Sequence, residues 1–181
     1  MTSSDSLDRK ISDLKGMIRD IPDFPSEGIM FRDITPLLAN PDGLSMAVDL
    51  MVKPYRGQEI DVVIGAESRG FIFGTAIAHA LNTGFVPVRK PGKLPGETVT
   101  EEYELEYGKG ALQIHTDAIQ PGQRVLIVDD LIATGGTLVA CRNLVKSLSA
   151  EIIGISVLIE LSELDGARLL EPETLFSVLR Y

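Results

Sequence analysis

The sequence has few cysteines, histidines and aromatic residues, and it has no tryptophan. A single cysteine, Cys141, cannot form a disulfide within the chain, which is typical of a protein from a reducing compartment. Its place in an apolar helical pattern favours a small buried side chain over a nucleophile. The two histidines, His79 and His115, are not clustered with cysteine, so a metal cage built by the protein is not expected. Both histidines are predicted to be structural.

Basic charge and long apolar runs are also scarce. Lysine and arginine number 17 against 26 aspartates and glutamates, a formal net charge of -9, which argues against general nucleic-acid binding. No apolar stretch reaches the length of a membrane span, and the N-terminus lacks the pattern of a signal peptide. A cytoplasmic protein is therefore expected. The 181 residues are predicted to form a single domain, 1–181, with a core of its own.

The most informative stretch is Val125–Thr137. It begins as an unbroken apolar run, reaches two adjacent aspartates, and passes through small residues into the amphipathic segment that follows. Such a run is typical of a strand buried on both faces of a parallel sheet. The stretch therefore predicts a strand, a loop and a helix, with the loop at the carboxyl end of the strand, where open α/β sheets bind ligands.

Other segments repeat the alternation of strand and helix. Asp61–Gly65 reads as a buried strand, a helix follows from about Phe71 to Leu81, and Phe85–Arg89 reads as the next strand. The alternation predicts an α/β fold with a parallel central sheet flanked by helices. An amphipathic helix over Ser6–Arg19 precedes this core.

A loop rich in glycine and proline, Arg89–Glu97, interrupts the alternation and carries three cations within five residues. It is either a mobile functional loop or a solvated connection between strands. After it, Val99–Tyr107 and Ala111–His115 are separated by Gly108–Gly110, which predicts an antiparallel hairpin, or flap, appended to the parallel core.

The residues after the buried strand suggest a particular ligand. Gly135 and Gly136 at the start of a helix allow an anion to approach free backbone N–H groups. Asp129 and Asp130 would repel that anion, so a ligand that suits both must offer hydroxyls or a metal to the acids and a phosphate to the glycines. A ribose 5-phosphate has that shape. The alternative is a helix capped by Thr134 with two surface aspartates.

Two nucleotide-binding motifs are absent. No G-x-G-x-x-G pattern occurs, so the dinucleotide fingerprint is missing. Gly65 and Gly70 have the glycine spacing of a P-loop, but Phe71 and Ile72 stand where lysine and serine or threonine are required. A nucleoside triphosphatase is therefore not expected.

Several blocks of the chain carry a family resemblance. They are the Val125–Thr137 stretch, Phe24-Pro25 with Gly28–Pro36, Glu67–Phe71, Arg89–Gly96 and Leu105–Gly108. The first resembles the phosphoribosyl-diphosphate (PRPP) signature of the type I phosphoribosyltransferases, and the others resemble the adenine-specific branch of that family. The resemblance implies the type I fold. It also implies the reaction of adenine with PRPP to give AMP and diphosphate in purine salvage.

The resemblance also implies a role for each block. The ribose 5-phosphate would be bound by the signature residues, of which the two acids hold the ribose hydroxyls: Asp129, Asp130, Ala133, Thr134, Gly135, Gly136 and Thr137. The diphosphate would be bound by a second set: Ala66, Glu67, Ser68, Arg69, Gly70, Lys90 and Lys93. Both lysines would close over it as a lid, and Mg²⁺ would be carried by PRPP.

The adenine ring is expected in a slot of Met30, Phe31 and Arg32, with Leu161 across the ring, and ordinary core packing is the alternative for these residues. The N-terminal segment 1–36 would supply this purine-side hood. The expected catalytic residues are Glu106 as proton acceptor, Tyr107 beside it, Lys90 and Arg69, although a helix-cap salt bridge is the alternative for Arg69. Adenine and PRPP are the expected partners, and the resemblance implies a homodimer.

The sequence leaves two other functions open. The first is the same reaction on guanine, hypoxanthine or xanthine, although no dedicated acid for a 6-oxopurine is evident. The second is a regulator that senses PRPP or a nucleotide and has lost catalysis. Such a regulator usually needs a nucleic-acid-binding extension or a basic surface, and neither is evident here.

Overall fold

The computed structural model describes residues 3–105 and 108–181. The chain divides into two compact units, 1–50 and 51–181. The organisation as one domain over 1–181, with residues 1–36 as a hood, stays a prediction. Among the described residues, no helix is both long enough and apolar enough to cross a membrane.

The first unit contains helices and a small sheet. Helix α1 (Ser3–Gly16) is followed by strands β1 (Arg19–Ile21) and β2 (Phe31–Asp33), which pair antiparallel. Helices α2 (Thr35–Ala39) and α3 (Pro41–Val52) come next, and α3 ends just inside the second unit. The predicted first helix extended to Arg19, which was wrong, because Arg19 pairs with Asp33 in the small sheet.

The second unit is built on five parallel strands in the order β4-β3-β7-β8-β9. The strands and the two helices between them are β3 (Val62–Ala66), α4 (Gly70–Leu81), β4 (Gly84–Val88), β7 (Arg124–Ile132), α5 (Gly136–Ser147), β8 (Glu151–Glu160) and β9 (Leu175–Arg180). The predicted α/β fold with a parallel central sheet flanked by helices is confirmed. Helix α4 packs against β3, β4 and β7, whereas α5 packs against β7 and β8.

The order of the strands locates a binding crevice. From β3 the chain passes through α4 to β4 on one side, and from β7 it passes through α5 to β8 on the other side. Since both crossovers are right-handed by rule, the two helices lie on opposite faces of the sheet. The direction of winding reverses between β3 and β7, and ligands of open α/β sheets bind at that reversal, beyond the carboxyl ends of the strands.

Strands β5 (Thr98–Leu105) and β6 (Gly108–His115) form the predicted antiparallel hairpin, and α5 packs against them. The predicted connection, Gly108–Gly110, was wrong. Leu105 pairs directly with Gly108, so all three residues belong to β6. Gly110 lies opposite Tyr103, and a Cβ on Gly110 would be 2.6 Å from the Tyr103 ring. This glycine therefore accommodates an aromatic ring across the strand pair and does not form a turn.

Apolar side chains from the sheet, α5 and the hairpin form one continuous core in the second unit. Val125, Ile127 and Leu144 are completely buried in it. Cys141 is buried in the same core, which confirms its interpretation as a small apolar residue. The segment Ser162–Leu170, predicted as a short helix, instead forms two 3₁₀ turns, Ser162–Leu164 and Gly166–Leu170.

Candidate active site

A polar cleft of about 340 Å³ opens at the reversal of the sheet, beyond the carboxyl ends of β3 and β7. Three segments that are far apart in sequence meet there: the loop after β3, the loop after β4 at Lys90, and the end of β7 with the start of α5. The cleft is lined by Glu67, Ser68, Arg69, Lys90, Asp129, Asp130, Leu131, Ile132, Ala133, Thr134, Gly135, Gly136, Thr137 and Leu138. All seven residues expected around a ribose 5-phosphate are among them.

The loop between β7 and α5 turns sharply at Gly135, whose φ is 88°. Gly135, which has no side chain, occupies the N-cap position of α5, and no side-chain hydrogen bond caps this helix. The alternative of a helix capped by Thr134 was therefore wrong. The first backbone N–H groups of a helix lack partners within the helix, and the helix dipole places partial positive charge beside them. The start of α5 therefore offers an anion site to the cleft.

Gly166 fixes this loop from behind. A Cβ on Gly166 would lie 2.1 Å from the carbonyl oxygen of Ala133, and one on Gly135 would lie 2.6 Å from the carbonyl oxygen of Gly166. The two backbones are therefore in direct contact, and side chains are excluded from both positions. Sequence reasoning missed Gly166, because it lies 31 residues beyond Gly135 in a segment without a recognisable motif.

Both aspartates lie within β7, which continues beyond them and pairs Leu131 with Ile159 of β8. They are buried, with 7% and 5% of their surface exposed for Asp129 and Asp130. The Asp129 carboxylate accepts the Asp130 N–H at 2.8 Å. Burial, with the charge of Asp130 adjacent, raises the pKa of Asp129 well above its usual value. The alternative of two surface aspartates was therefore wrong.

Arg69 provides the charge that balances Asp130. Its Nε lies 2.6 Å from the Asp130 carboxylate, and its side chain is 43% exposed at the cleft. The helix-cap salt bridge weighed for Arg69 is thus partly realised, because Arg69 holds the N-cap position of α4 while its ion pair reaches across to β7. A cation and a buried acid from different segments meet at one wall of the cleft.

Glu67 does not present a free carboxylate to the cleft. Its Oε2 accepts hydrogen bonds from the Arg89 guanidinium at 3.0 Å and from the Lys90 N–H at 3.1 Å. Burial opposes ionisation of this acid, but the Lys90 N–H and Arg89 outweigh burial and hold the pKa of Glu67 below its usual value. Glu67 therefore connects the loop after β3 to the segment that carries Lys90, a contact that sequence reasoning did not foresee.

Three residues expected at the diphosphate are not among the described residues that line the cleft. Ala66 is the buried last residue of β3, Gly70 is the buried first residue of α4, and Lys93 is exposed in the loop after β4. A Cβ on Gly70 would lie 2.9 Å from an Asp129 oxygen, so Gly70 permits the close approach of α4 to that acid. Lys90 does line the cleft.

The residues expected around adenine belong to both units, and each is described within its own. In the first unit, Phe31 packs edge-to-face with Phe24 at 5.1 Å between ring centroids, and Met30 is 44% exposed. Arg32 forms an ion pair with Asp20 at 2.5 Å, which joins β2 to β1. In the second unit, the Leu161 N–H donates to the carbonyl of Ile132, a residue of the cleft wall.

Glu106 and Tyr107, the predicted proton acceptor and its neighbour, lie outside the described residues. Their roles stay predictions. Of the two histidines, His115 contacts the Pro95 carbonyl at 2.7 Å and His79 lies in the last turn of α4. Among residues 3–105 and 108–181, no group of three or more histidines, cysteines and acids is arranged to hold a metal ion.

Comparison with known proteins identifies the family. The phosphoribosyl transferase domain model matches residues 34–179 of the chain. An adenine phosphoribosyltransferase from Rhodopirellula baltica is 59% identical over 169 residues, which cover 93% of this chain and 82% of the relative. The chain belongs to the adenine phosphoribosyltransferase family. The resemblance inferred from the sequence motifs is therefore confirmed.

Solved structures of adenine phosphoribosyltransferases have the same fold. The structure of the enzyme from Thermoanaerobacter pseudethanolicus matches with a TM-score of 0.92 at 48% identity. The match covers 94% of this chain and 99% of the Thermoanaerobacter chain. The enzyme from Saccharomyces cerevisiae, in complex with adenine and an imino-altritol bisphosphate, matches with a TM-score of 0.90 at 41% identity. That match covers 95% of this chain and 99% of the yeast chain. The fold of the chain and its family, as shown by these comparisons, therefore agree.

Proposed function

We propose that the protein is an enzyme that transfers the 5-phosphoribosyl group of PRPP to adenine, forming AMP and releasing diphosphate. One observation carries this proposal: the cleft unites paired acids, a helix-start anion site and two cations in the order that PRPP requires. Two curated adenine phosphoribosyltransferases are 59% and 54% identical to the chain over 93% of its length, which supports adenine as the acceptor.

The end of β7 and the start of α5 would bind the ribose 5-phosphate. The phosphate would lie against the backbone N–H groups of residues 133–137, since these face the cleft at a helix N-terminus. Asp129 and Asp130 would accept hydrogen bonds from the ribose hydroxyls, because buried carboxyl oxygens need hydrogen-bond partners.

The opposite wall of the cleft would bind the diphosphate. Ser68, Arg69 and Lys90 line this wall, and the two cations would neutralise the charge that grows on the leaving group. The set proposed for this half also includes Ala66, Glu67, Gly70 and Lys93. Mg²⁺ would enter this half as a companion of the diphosphate, because among the described residues no group of acids is arranged to hold it alone. When bound, Mg²⁺ supplies charge neutralisation to the diphosphate oxygens.

Displacement at the anomeric carbon develops positive charge on the ribose ring, as in glycoside hydrolysis. The Asp130 carboxylate, which lines the cleft, would lie beside that position and would stabilise the charge electrostatically. A closed cleft must keep water from the same carbon, because water would compete with adenine as the acceptor. Lys90 and Lys93, on the loop after β4, are proposed to complete that closure.

Adenine is proposed to be bound by Met30, Phe31 and Arg32 of the first unit and by Leu161 of the second. Backbone groups near Arg32 would bind the purine edge, since the Arg32 guanidinium is already paired with Asp20. N9 of adenine must lose a proton during transfer, and Glu106 is proposed as the acceptor with Tyr107 beside it. The protein is proposed to act as a homodimer in the cytoplasm.

The experiment is to incubate the protein with adenine, PRPP and Mg²⁺ and to measure AMP and diphosphate. We expect stoichiometric release of both products, with guanine, hypoxanthine and xanthine consumed far more slowly when supplied in competition. Failure to form AMP by protein that has the expected circular dichroism would refute the proposed reaction. Preference for an oxopurine would refute only the choice of adenine.

A further inference from the structure

Two residues, Glu67 and Gln113, hold the loop after β4 by hydrogen bonds near Lys90. We call residues Lys90–Lys93 the lysine turn, because its two ends are the lysines and the Lys93 N–H donates to the Lys90 carbonyl at 3.3 Å. The turn contains Gly92 with a φ of 77°. It presents Lys90 to the cleft. What fixes the turn therefore also fixes where this cation can act.

Glu67 holds the turn from the cleft side. It binds the Lys90 N–H and the Arg89 guanidinium through the same carboxylate oxygen. Arg89 in turn donates from Nη1 to the Lys93 carbonyl at 3.2 Å, so its one side chain connects Glu67 to the far end of the turn. The Glu67 carboxylate is committed to these contacts, and Lys90 joins Arg69 as a cation that lines this wall.

Gln113 holds the turn from the hairpin side. Its backbone exchanges two hydrogen bonds with Arg89, at 2.9 and 2.6 Å. Its side-chain Oε1 accepts the Gly92 N–H at 3.2 Å, and its Nε2 donates to the Thr100 hydroxyl at 2.9 Å. Only this orientation of the amide suits Gly92, because the reverse would place two donors against each other. Gln113 therefore joins the turn to both strands of the hairpin.

Gln113 is not among the described residues that line the cleft, and its link to the cleft runs through the turn. We infer that Glu67 and Gln113 are positioning residues that hold the lysine turn from opposite sides and so place Lys90 at the diphosphate. The inference rests on the proposed function and extends it. It assigns Gln113 a part in the reaction and gives Glu67 a part different from that of a direct ligand.

The test measures two ligands separately by calorimetry, diphosphate with Mg²⁺ and ribose 5-phosphate. Gln113→Met removes both side-chain bonds at similar volume, and Glu67→Gln removes the charge at similar shape. We expect each to weaken diphosphate binding about threefold to tenfold, the loss typical of one or two hydrogen bonds. Ribose 5-phosphate binding should stay within about twofold, since its half of the cleft is untouched. The KM for PRPP should rise while the KM for adenine does not.

Gln58→Met is the matched control, since it likewise removes a glutamine side-chain hydrogen bond to the backbone, here from Nε2 to the Pro54 carbonyl. It should leave the affinities for both ligands unchanged. The decisive comparison repeats the substitutions in a Lys90→Met background. If Glu67 and Gln113 act through Lys90, neither should then change diphosphate binding by more than about twofold, because contacting residues are non-additive.

Three results would overturn the inference. They are unchanged diphosphate binding in both single variants, a parallel loss of ribose 5-phosphate binding, and full additivity with Lys90→Met. If Gln113→Met does not fold, Glu67→Gln supplies the same comparison. Wild-type protein that binds neither ligand would refute the proposed function itself. Wild-type protein that binds both, with variants that do the same, would refute only the positioning roles.

Discussion

The guanidinium of Arg69 lies 2.6 Å from the carboxylate of Asp130, and the two residues are proposed to contact opposite halves of PRPP. Diphosphate at Arg69 and ribose hydroxyls at Asp130 must each compete with this ion pair. Diphosphate that binds Arg69 would free Asp130 from the ion pair, and a ribose that binds Asp130 would free Arg69. The two ligands are therefore expected to favour each other's binding.

Asp130→Asn tests this competition. The variant should bind diphosphate about twofold to fivefold more tightly, since Arg69 is released, and should bind ribose 5-phosphate more weakly. The two affinities are measured by calorimetry, each with and without the other ligand. Asp61→Asn is the control, because that carboxylate likewise accepts a hydrogen bond from an arginine, the backbone N–H of Arg124, but is not among the described residues that line the cleft. Weaker binding of both ligands to Asp130→Asn would contradict the competition.

Asp129 should make the protein less stable as the pH rises. Its pKa in the folded protein is raised, chiefly by burial, so the folded state holds a proton that the unfolded state releases near its ordinary value of 3.8. The free energy of unfolding therefore falls between about pH 4 and the raised pKa. Asp129→Asn removes this fall in the free energy of unfolding, because asparagine does not titrate. Its melting temperature should exceed that of the wild type at pH 8 by a few degrees, and the difference should shrink toward pH 4.

Thermal unfolding of both proteins without ligands, followed by circular dichroism across this range, measures the effect. Turnover of Asp129→Asn should be severely reduced, and more so when it is combined with Asp130→Asn. A variant less stable than the wild type at pH 8 would contradict the expected direction of the effect.

Asp33 should have the opposite effect in the first unit. The Thr35 hydroxyl, the Thr35 N–H and the Arg19 guanidinium all bind its carboxylate and lower its pKa from 3.8 to about 2. The stability it contributes is complete above about pH 4 and disappears as the pH falls to about 2. Asp33→Asn should therefore melt earlier than the wild type at pH 7 and approach it in acid. Asp13→Asn, on the exposed face of α1, should melt like the wild type at both pH values.

Gly166→Ala should damage the phosphate half of the cleft selectively. The added Cβ would collide with the Ala133 carbonyl at 2.1 Å, so the loop at Gly135 must shift. Ribose 5-phosphate binding should weaken about tenfold or more, while diphosphate binding stays close to the wild-type value. Gly84→Ala is the matched control, because a Cβ there meets nothing within 4 Å. An unchanged affinity for ribose 5-phosphate would show that the loop tolerates the shift.

Local sequence predicted the sheet and the wall of the cleft that belongs to β7. Buried strands such as Val62–Ala66 carry continuous apolar runs, and the acids and glycines of the cleft are adjacent to one such run. Contacts between distant segments were not predicted. Glu67 meets Arg89 across 22 residues, and nothing in either segment indicates the pair. The role of a glycine was also hard to predict. Gly110 was predicted to be a turn residue, whereas in the structure it leaves space for the Tyr103 ring.

The two proposed halves of the cleft differ in how the fold supports them. Asp129 and Asp130 lie within β7, where Asp129 pairs with Val157 of β8 and the pairing continues at Val128 before them and at Leu131 after them. The cation Lys90 lies instead on a turn that is fixed largely by exposed hydrogen bonds. Ordering of the chain on binding thus costs conformational entropy mainly at the diphosphate. Small sugar-phosphate fragments should therefore bind the β7 wall with high efficiency per atom, which makes that wall the place to begin inhibitor design.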